Sequence, residues 1–220
     1  MSADDAGLRG SIGAATRGGE PRMAGTIDFF YEFASPYSFL AAQRLPALAT
    51  QVGRIVRWRP IELGKVWAAQ DVLEAYGAIR KIKRGYIIAD AQRTAEDLGI
   101  SMKVPRGPTD ATLARLAVYG LEARTPGQGA ELSLKLWHRL WGEGLGISSI
   151  EDLMAVAPGG VDQPTLIAAT QHPASAAHLE SANADAITLS CFGVPWIVAD
   201  GDSYFGQDRL DMLERRLKRP

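Results

Sequence analysis

The chain has 220 residues, 46% of them apolar, and a formal charge of −1 from 24 basic and 25 acidic side chains. Charge so evenly balanced gives no electrostatic case for nucleic acid or an acidic membrane as partner, and no run approaches the ~18 apolar residues of a spanning helix. The single cysteine, Cys191, excludes an intrachain disulfide and suits a reducing, cytoplasmic setting, while the length fits one large domain or a domain with an insertion.

Residues 1–25 are rich in Gly, Ala and Arg without apolar periodicity, and they read as a disordered tail with no secretory h-region. Thr26–Phe33 follows as a strand, because Ile27, Phe29, Tyr31 and Phe33 repeat at period two. Ser35 and Pro36 then give a cap and an N1 proline for a helix, which Pro46 is expected to break or kink. Arg54–Arg59 is a second strand, with Val56 and Trp58 opposite Arg57 and Arg59. The middle reads as helices: Ala78–Leu98, with Ile79, Ile82, Tyr86 and Ala89 at helical spacing, then Thr109–Glu122 and Gly129–Trp141. A short helix is capped in Ser148–Asp152, another is capped by Asp162, and the last of the series is Ala174–Ser190. Trp196–Ala199 and Ser203–Phe205 are two short strands around the hairpin signal Asp200-Gly201, and a final helix runs from Gln207 to about Arg216.

A β-α-β segment at the front and a Val-Pro, strand, strand, helix unit at the back are the two halves of a thioredoxin fold. The fold class is therefore α/β: a thioredoxin-like, DsbA-like domain at 26–64 and 191–220, with a helical insertion at 65–190 on the sheet edge. At the strand-to-helix turn, where thioredoxin-like oxidoreductases carry Cys-x-x-Cys, this chain has Ser35-Pro36-Tyr37-Ser38. Any thiol chemistry there needs a sulfur from outside, and glutathione is the obvious donor. Val194-Pro195 precedes a strand and is a candidate cis peptide. The three histidines, His138, His172 and His178, lack metal-ligand spacing, so no metal is expected. His138, between Trp137 and Trp141, reads as a core or interface residue, and Cys191 as a small buried hydrophobe.

The segments IDFFYEFASPYSFLA, RPIELGKV, KRGYIIADAQRTAEDLGI and FGVPWIVADGDSYFGQDRLDML, in this order, resemble the 2-hydroxychromene-2-carboxylate isomerases and the related kappa-class glutathione transferases over residues 26 to 217. The resemblance implies a homodimer that uses glutathione. Ser35 would be the catalytic serine, with Pro36 and Tyr37 beside it. Val194 and Pro195 would hold the cysteinyl unit by its backbone, and Gln207 and Asp208 would hold the γ-glutamyl end. Lys65, Lys83, Tyr86 and Asp90 are weaker candidates for the acceptor side; the isomerase substrate is a small aromatic 2-oxo acid, whose carboxylate calls for cations. One departure stands out: the family carries an Asn ahead of the Lys…Tyr…Asp helix, and none occurs between Arg59 and Lys83. The implied activity is a glutathione-dependent isomerase. The alternatives are a kappa-like transferase, or a non-catalytic binding module in which Ser35 serves only as a helix cap.

Overall fold

The computed structural model describes residues 25–219, so the expectation for the tail ahead of residue 25 lies outside the described residues. Gly25 itself belongs to the fold: it turns at φ +106°, and its carbonyl accepts the Ile55 N–H at 2.8 Å.

Strand β1 (Thr26–Tyr31) organises the molecule through its alternation. Ile27, Phe29 and Tyr31, with Phe33 beyond the strand, enter a large core; Phe30 enters a smaller one on the opposite face. β1 pairs in parallel with β2 (Ile55–Pro60) and antiparallel with β3 (Trp196–Ala199). β3 pairs with β4 (Asp202–Phe205), giving the order β2-β1-β3-β4 among the described residues. Asp200 and Gly201 both have positive φ, +50° and +88°, the backbone that a two-residue hairpin requires.

Helix α1 (Pro36–Gln51) continues through Pro46, so of the expected break or kink the break does not occur. An interior proline costs roughly 3 kcal/mol. Leu45, Leu48 and Ala49 on either side are all buried in the large core, and that burial holds the helix together. Thr50 also donates from Oγ1 to the Pro46 carbonyl at 3.0 Å.

Helices α2 (Leu63–Ala69), α3 (Leu73–Asp97), α4 (Thr112–Arg124), α5 (Gln128–Trp137), α6 (Ile150–Met154), α7 (Gln163–Gln171) and α8 (Pro173–Thr188) lie between the two halves in sequence. α2 was not anticipated, since seven residues are too few for periodicity to declare itself. α3 begins five residues before the expected Ala78, anchored by Tyr76 stacked on Trp67 of α2, with ring centroids 5.3 Å apart. α5 does not reach Trp141; after Trp137 the chain enters a π-helical turn, His138–Glu143, which keeps Trp137 and Trp141 both buried. His138 is therefore not a core residue: its side chain is 72% exposed and lies 3.6 Å from Glu143. Ser149 with Asp152 forms the predicted capping box, and Asp162 caps α7. The last predicted helix splits into a 3-10 turn, Gln207–Arg209, followed by α9 (Leu210–Leu217).

The helical segment reaches both faces of the sheet, not only its edge. On the large-core side Trp137 packs 4.5 Å from Tyr31 and 5.2 Å from Phe33, and Trp141 Nε1 donates to the Phe33 carbonyl at 2.8 Å. Tyr31 and Ser133 share a buried hydrogen bond of 2.7 Å. On the other side α2 and α8 bring Val66, Trp67, Ala182 and Ala186 against Phe30, Trp196 and Val198. Among the described residues no helix is long and apolar enough to cross a membrane.

A polar tie joins the first turn of α1 to α3. Tyr37 donates from its hydroxyl to Asp90 Oδ2 at 2.8 Å, and Arg93 reaches the other carboxylate oxygen at 3.1 Å. Burial and the Asp90 partner push the Tyr37 phenol up, while the Tyr37 hydroxyl holds the Asp90 carboxyl below the usual carboxylate range. A depressed folded pKa stabilises the fold at pH above the unfolded value, and that contribution fades as the pH falls through the folded value. Tyr37→Phe should therefore lower the melting temperature by roughly 2–4 °C at pH 7, for a loss of about 1 kcal/mol. Thermal melts of both proteins from pH 7 down to pH 3 should show that difference shrinking once Asp90 protonates.

Candidate active site

Ser35 sits between β1 and α1 with extended backbone, φ −94° and ψ 115°, and Pro36 takes N1. Its Oγ accepts the Ser38 N–H at 3.2 Å, the capping bond that the sequence predicts. The cap uses a lone pair and leaves the hydroxyl proton available. That proton points across the site to the Val194 carbonyl at 3.4 Å. An O–H···O bond is usually 2.7–2.8 Å, so this contact is long and easily surrendered to a better acceptor. Ser38 is fully buried in α1 beneath the turn, and its Oγ has no partner among the described residues.

The facing loop, Cys191–Pro195, carries a cis Val194-Pro195 peptide. α2 fixes this loop: Trp67 Nε1 donates to the Phe192 carbonyl at 2.9 Å, and Gln70 Nε2 to that of Cys191 at 3.2 Å. Cys191 is fully buried, and burial pushes its thiol up to about 12, so it is no nucleophile. The Val194 N–H finds no acceptor among the described residues, although Val194 is buried.

Gln207 and Asp208 come to the same place. Gly206 N–H donates to the Pro195 carbonyl at 3.0 Å, which ties their 3-10 turn to the cis-proline loop. Gly206 stands at φ +104°, a backbone conformation in which any L side chain is strained, so the turn favours glycine. Arg44 of α1 holds the turn from the other side, donating to the Gln207 carbonyl and pairing with Asp211. Asp208 is exposed, with Arg209 at 3.7 Å.

Two groups that the sequence reading passed over brace the Ser35 turn. Glu32 accepts the Ser35 N–H at its carbonyl, 3.0 Å away. Its largely buried carboxylate takes Arg115 of α4 at one oxygen and the Leu63 N–H, at 3.2 Å, at the other. Burial raises the Glu32 carboxyl; Arg115, the Leu63 N–H and Arg80 oppose that rise. The only signals in the sequence were an acid at the end of an aromatic strand and an arginine set among the apolar residues of α4.

The four acceptor-side candidates do not converge. Lys65 is paired with Glu62 at 2.6 Å and Glu180 at 2.9 Å, which raise its pKa. Tyr86 is exposed beside Arg93, with the guanidinium carbon 5.8 Å from the ring centroid. Asp90 is engaged by Tyr37, and Lys83 is exposed and makes no ion pair among the described residues. An open cavity of about 440 Å³ between β4 and α9, lined by Phe205, Arg209, Met212 and Arg216 among others, contains none of the Ser35 or Val194 groups. No metal-ligand cluster occurs among the described residues.

Residues 26–218 match the DSBA-like thioredoxin domain family. The chain is 30% identical to a 2-hydroxychromene-2-carboxylate isomerase of Sphingobium xenophagum over 89% of its own length and 99% of the relative's. It is 27% identical to glutathione S-transferase kappa 1 of Caenorhabditis elegans, covering 88% of this chain and 91% of that one. A solved structure of 2-hydroxychromene-2-carboxylate isomerase superposes with a TM-score of 0.74 at 28% identity, over 87% of this chain and 94% of the other. With a thioredoxin sheet closed around a serine in place of a redox cysteine, the chain belongs to the DSBA-like thioredoxin family, alongside the 2-hydroxychromene-2-carboxylate isomerases and kappa-class glutathione transferases.

Proposed function

We propose that this protein is a glutathione-dependent isomerase of the 2-hydroxychromene-2-carboxylate type, acting on a small aromatic 2-oxo acid. The observation that carries the reading is the Ser35 hydroxyl aimed at the Val194 carbonyl across the turn, 3.4 Å away. The groups present fit glutathione. The Val194 N–H lacks an acceptor, as an edge waiting for an added strand does. The Ser35 proton is held only by a long bond, and Asp208 stands exposed to meet an ammonium.

Glutathione supplies a thiolate that adds reversibly to a conjugated substrate, so that a former double bond can rotate before the sulfur leaves. The protein's part is electrostatic. Ser35 donates a hydrogen bond to the anionic sulfur, and the amino end of α1 adds positive potential. Pro36 and Tyr37 shape the wall beside it; Val194 and Pro195 hold the peptide backbone; Gln207 and Asp208 take the γ-glutamyl end. Lys83, Tyr86 and Asp90, all on α3, are kept as acceptor-side candidates, while Lys65 is taken up by Glu62 and Glu180. A reducing, cytoplasmic setting suits such chemistry, and the homodimer implied by resemblance belongs to the same proposal.

With serine at both ends of the turn and Cys191 buried, the protein should not turn over disulfides by itself. An insulin-reduction assay without added thiol should read baseline; catalysed reduction there would sink the isomerase reading.

Ser35→Ala separates catalysis from capping. Loss of a hydrogen bond to an anion costs about 1.5–3 kcal/mol, or roughly ten- to a hundredfold in thiolate-dependent rate. At saturating glutathione the bound thiol should titrate at higher pH and the isomerisation rate should fall by that factor. If both hold steady while only the melting temperature drops, Ser35 is a cap and the binding-module reading replaces this one.

A further inference from the structure

Glu32 is joined to both walls of the Ser35 site, to one through its backbone and to the other through its side chain. Its carbonyl accepts the Ser35 N–H at 3.0 Å and closes the turn from which the Ser35 hydroxyl projects. Its carboxylate accepts the Leu63 N–H at 3.2 Å, and Leu63 is the first residue of α2. An N–H in the first turn of a helix has no partner within that helix. Glu62, at the capping position of α2, makes no capping bond with its side chain. That carboxylate is turned instead to Asn183 Nδ2 at 3.1 Å and to Lys65 at 2.6 Å. The start of α2 is therefore held from outside, by Glu32.

α2 carries the tie onward. Leu63, Trp67 and Gln70 stand at i, i+4 and i+7, on one face of the helix. Trp67 donates to the Phe192 carbonyl and Gln70 to that of Cys191, and these bonds fix the loop that leads to Val194. The pairing of β1 with β3 ends at Phe30 and Trp196, short of both Ser35 and Val194. The direct contact between those two residues, at 3.4 Å, is too long to hold them in register. The path from the Ser35 turn through Glu32 and α2 spans that gap. Arg115 fixes which way the carboxylate points: both side chains are largely buried, and Arg115 takes the oxygen that Leu63 does not.

We infer that Glu32 is a positioning residue: through the Leu63 N–H and α2, its carboxylate sets the separation of the Ser35 hydroxyl from the Val194 backbone. The inference rests on that pair being the reacting centre. Glu32 acts through other groups and does not itself touch the sulfur. A misplacement of about 1 Å at a reacting centre is enough to cost roughly a hundredfold in rate.

Two double variants test this without leaving a lone buried charge. Glu32→Gln with Arg115→Met keeps an oxygen for the Leu63 N–H, and Glu32→Met with Arg115→Met removes it. Replacing a buried ion pair by uncharged groups of similar volume is often neutral for stability, so both should fold. Glu32→Asp keeps the charge and shortens the reach by one methylene; it should move every readout in the same direction as the Met pair, and it carries the test if the Met pair does not fold. Asp162→Ala, which uncaps α7, controls for destabilisation alone. The readouts are calorimetric affinity for reduced glutathione, the ultraviolet titration of its bound thiol, and the NMR resonances of the Trp67 indole N–H and the Val194 amide. The Gln pair should stay close to wild type in all of them. In the Met pair affinity should fall roughly tenfold, the thiol should ionise at higher pH, and both resonances should move. Wild-type behaviour of the Met pair, an equal loss in the Gln pair, or the same changes in Asp162→Ala overturns the inference. If wild type does not bind glutathione, the proposed function fails, and the Trp67 and Val194 resonances, read without ligand, still decide whether Glu32 positions the site.

Discussion

The two-sided packing of β1 is the constraint on which the rest depends. Its aromatic alternation places Phe29, Tyr31 and Phe33 against Trp137 and Trp141 on one face, and Phe30 against α2 and α8 on the other. Each large buried side chain contributes on the order of 1.5–3 kcal/mol. One strand thus welds the sheet to helices that are remote in sequence. It ends where Ser35 begins, so the position of that serine is set by the largest block of apolar burial in the molecule.

A second economy lies in the Ser35 hydroxyl. Capping needs an oxygen lone pair, and anion stabilisation needs the proton; one hydroxyl has both. A redox cysteine at the same position would exploit the helix potential to become a thiolate itself. Serine keeps the potential and gives up the redox couple. The surroundings agree with that division: the buried Cys191 thiol has a raised pKa, and Ser38 is sealed beneath the turn.

Polar ties hold the Ser35 turn and its neighbour at Gln207. Glu32 ties it to α4 and to the start of α2, Tyr37 ties it to α3, and Arg44 reaches from α1 to the Gln207 turn. A charged pair such as Glu32–Arg115 adds little net stability when buried, because desolvation offsets attraction. Its effect is to fix direction: breaking it strands a charge, so the turn has one low-energy arrangement.

Local rules made much of this legible in the sequence. Period-two aromatics marked β1, Ser35-Pro36 marked the start of α1, Asp200-Gly201 marked the hairpin, and Ser149 and Asp162 marked two caps; each depends on residues within a few positions of one another. The ordered motifs also located Ser35, Val194 and the Gln207–Asp208 turn, which the tertiary structure then brought to one place. What only tertiary structure decided involves partners far apart in the chain. Pro46 stays helical because the core around it outweighs the lost bond, and α2 exists because Trp67 and Gln70 have the cis-proline loop to hold. Arg115 and Glu32 are separated by 83 residues, so no spacing rule pairs them.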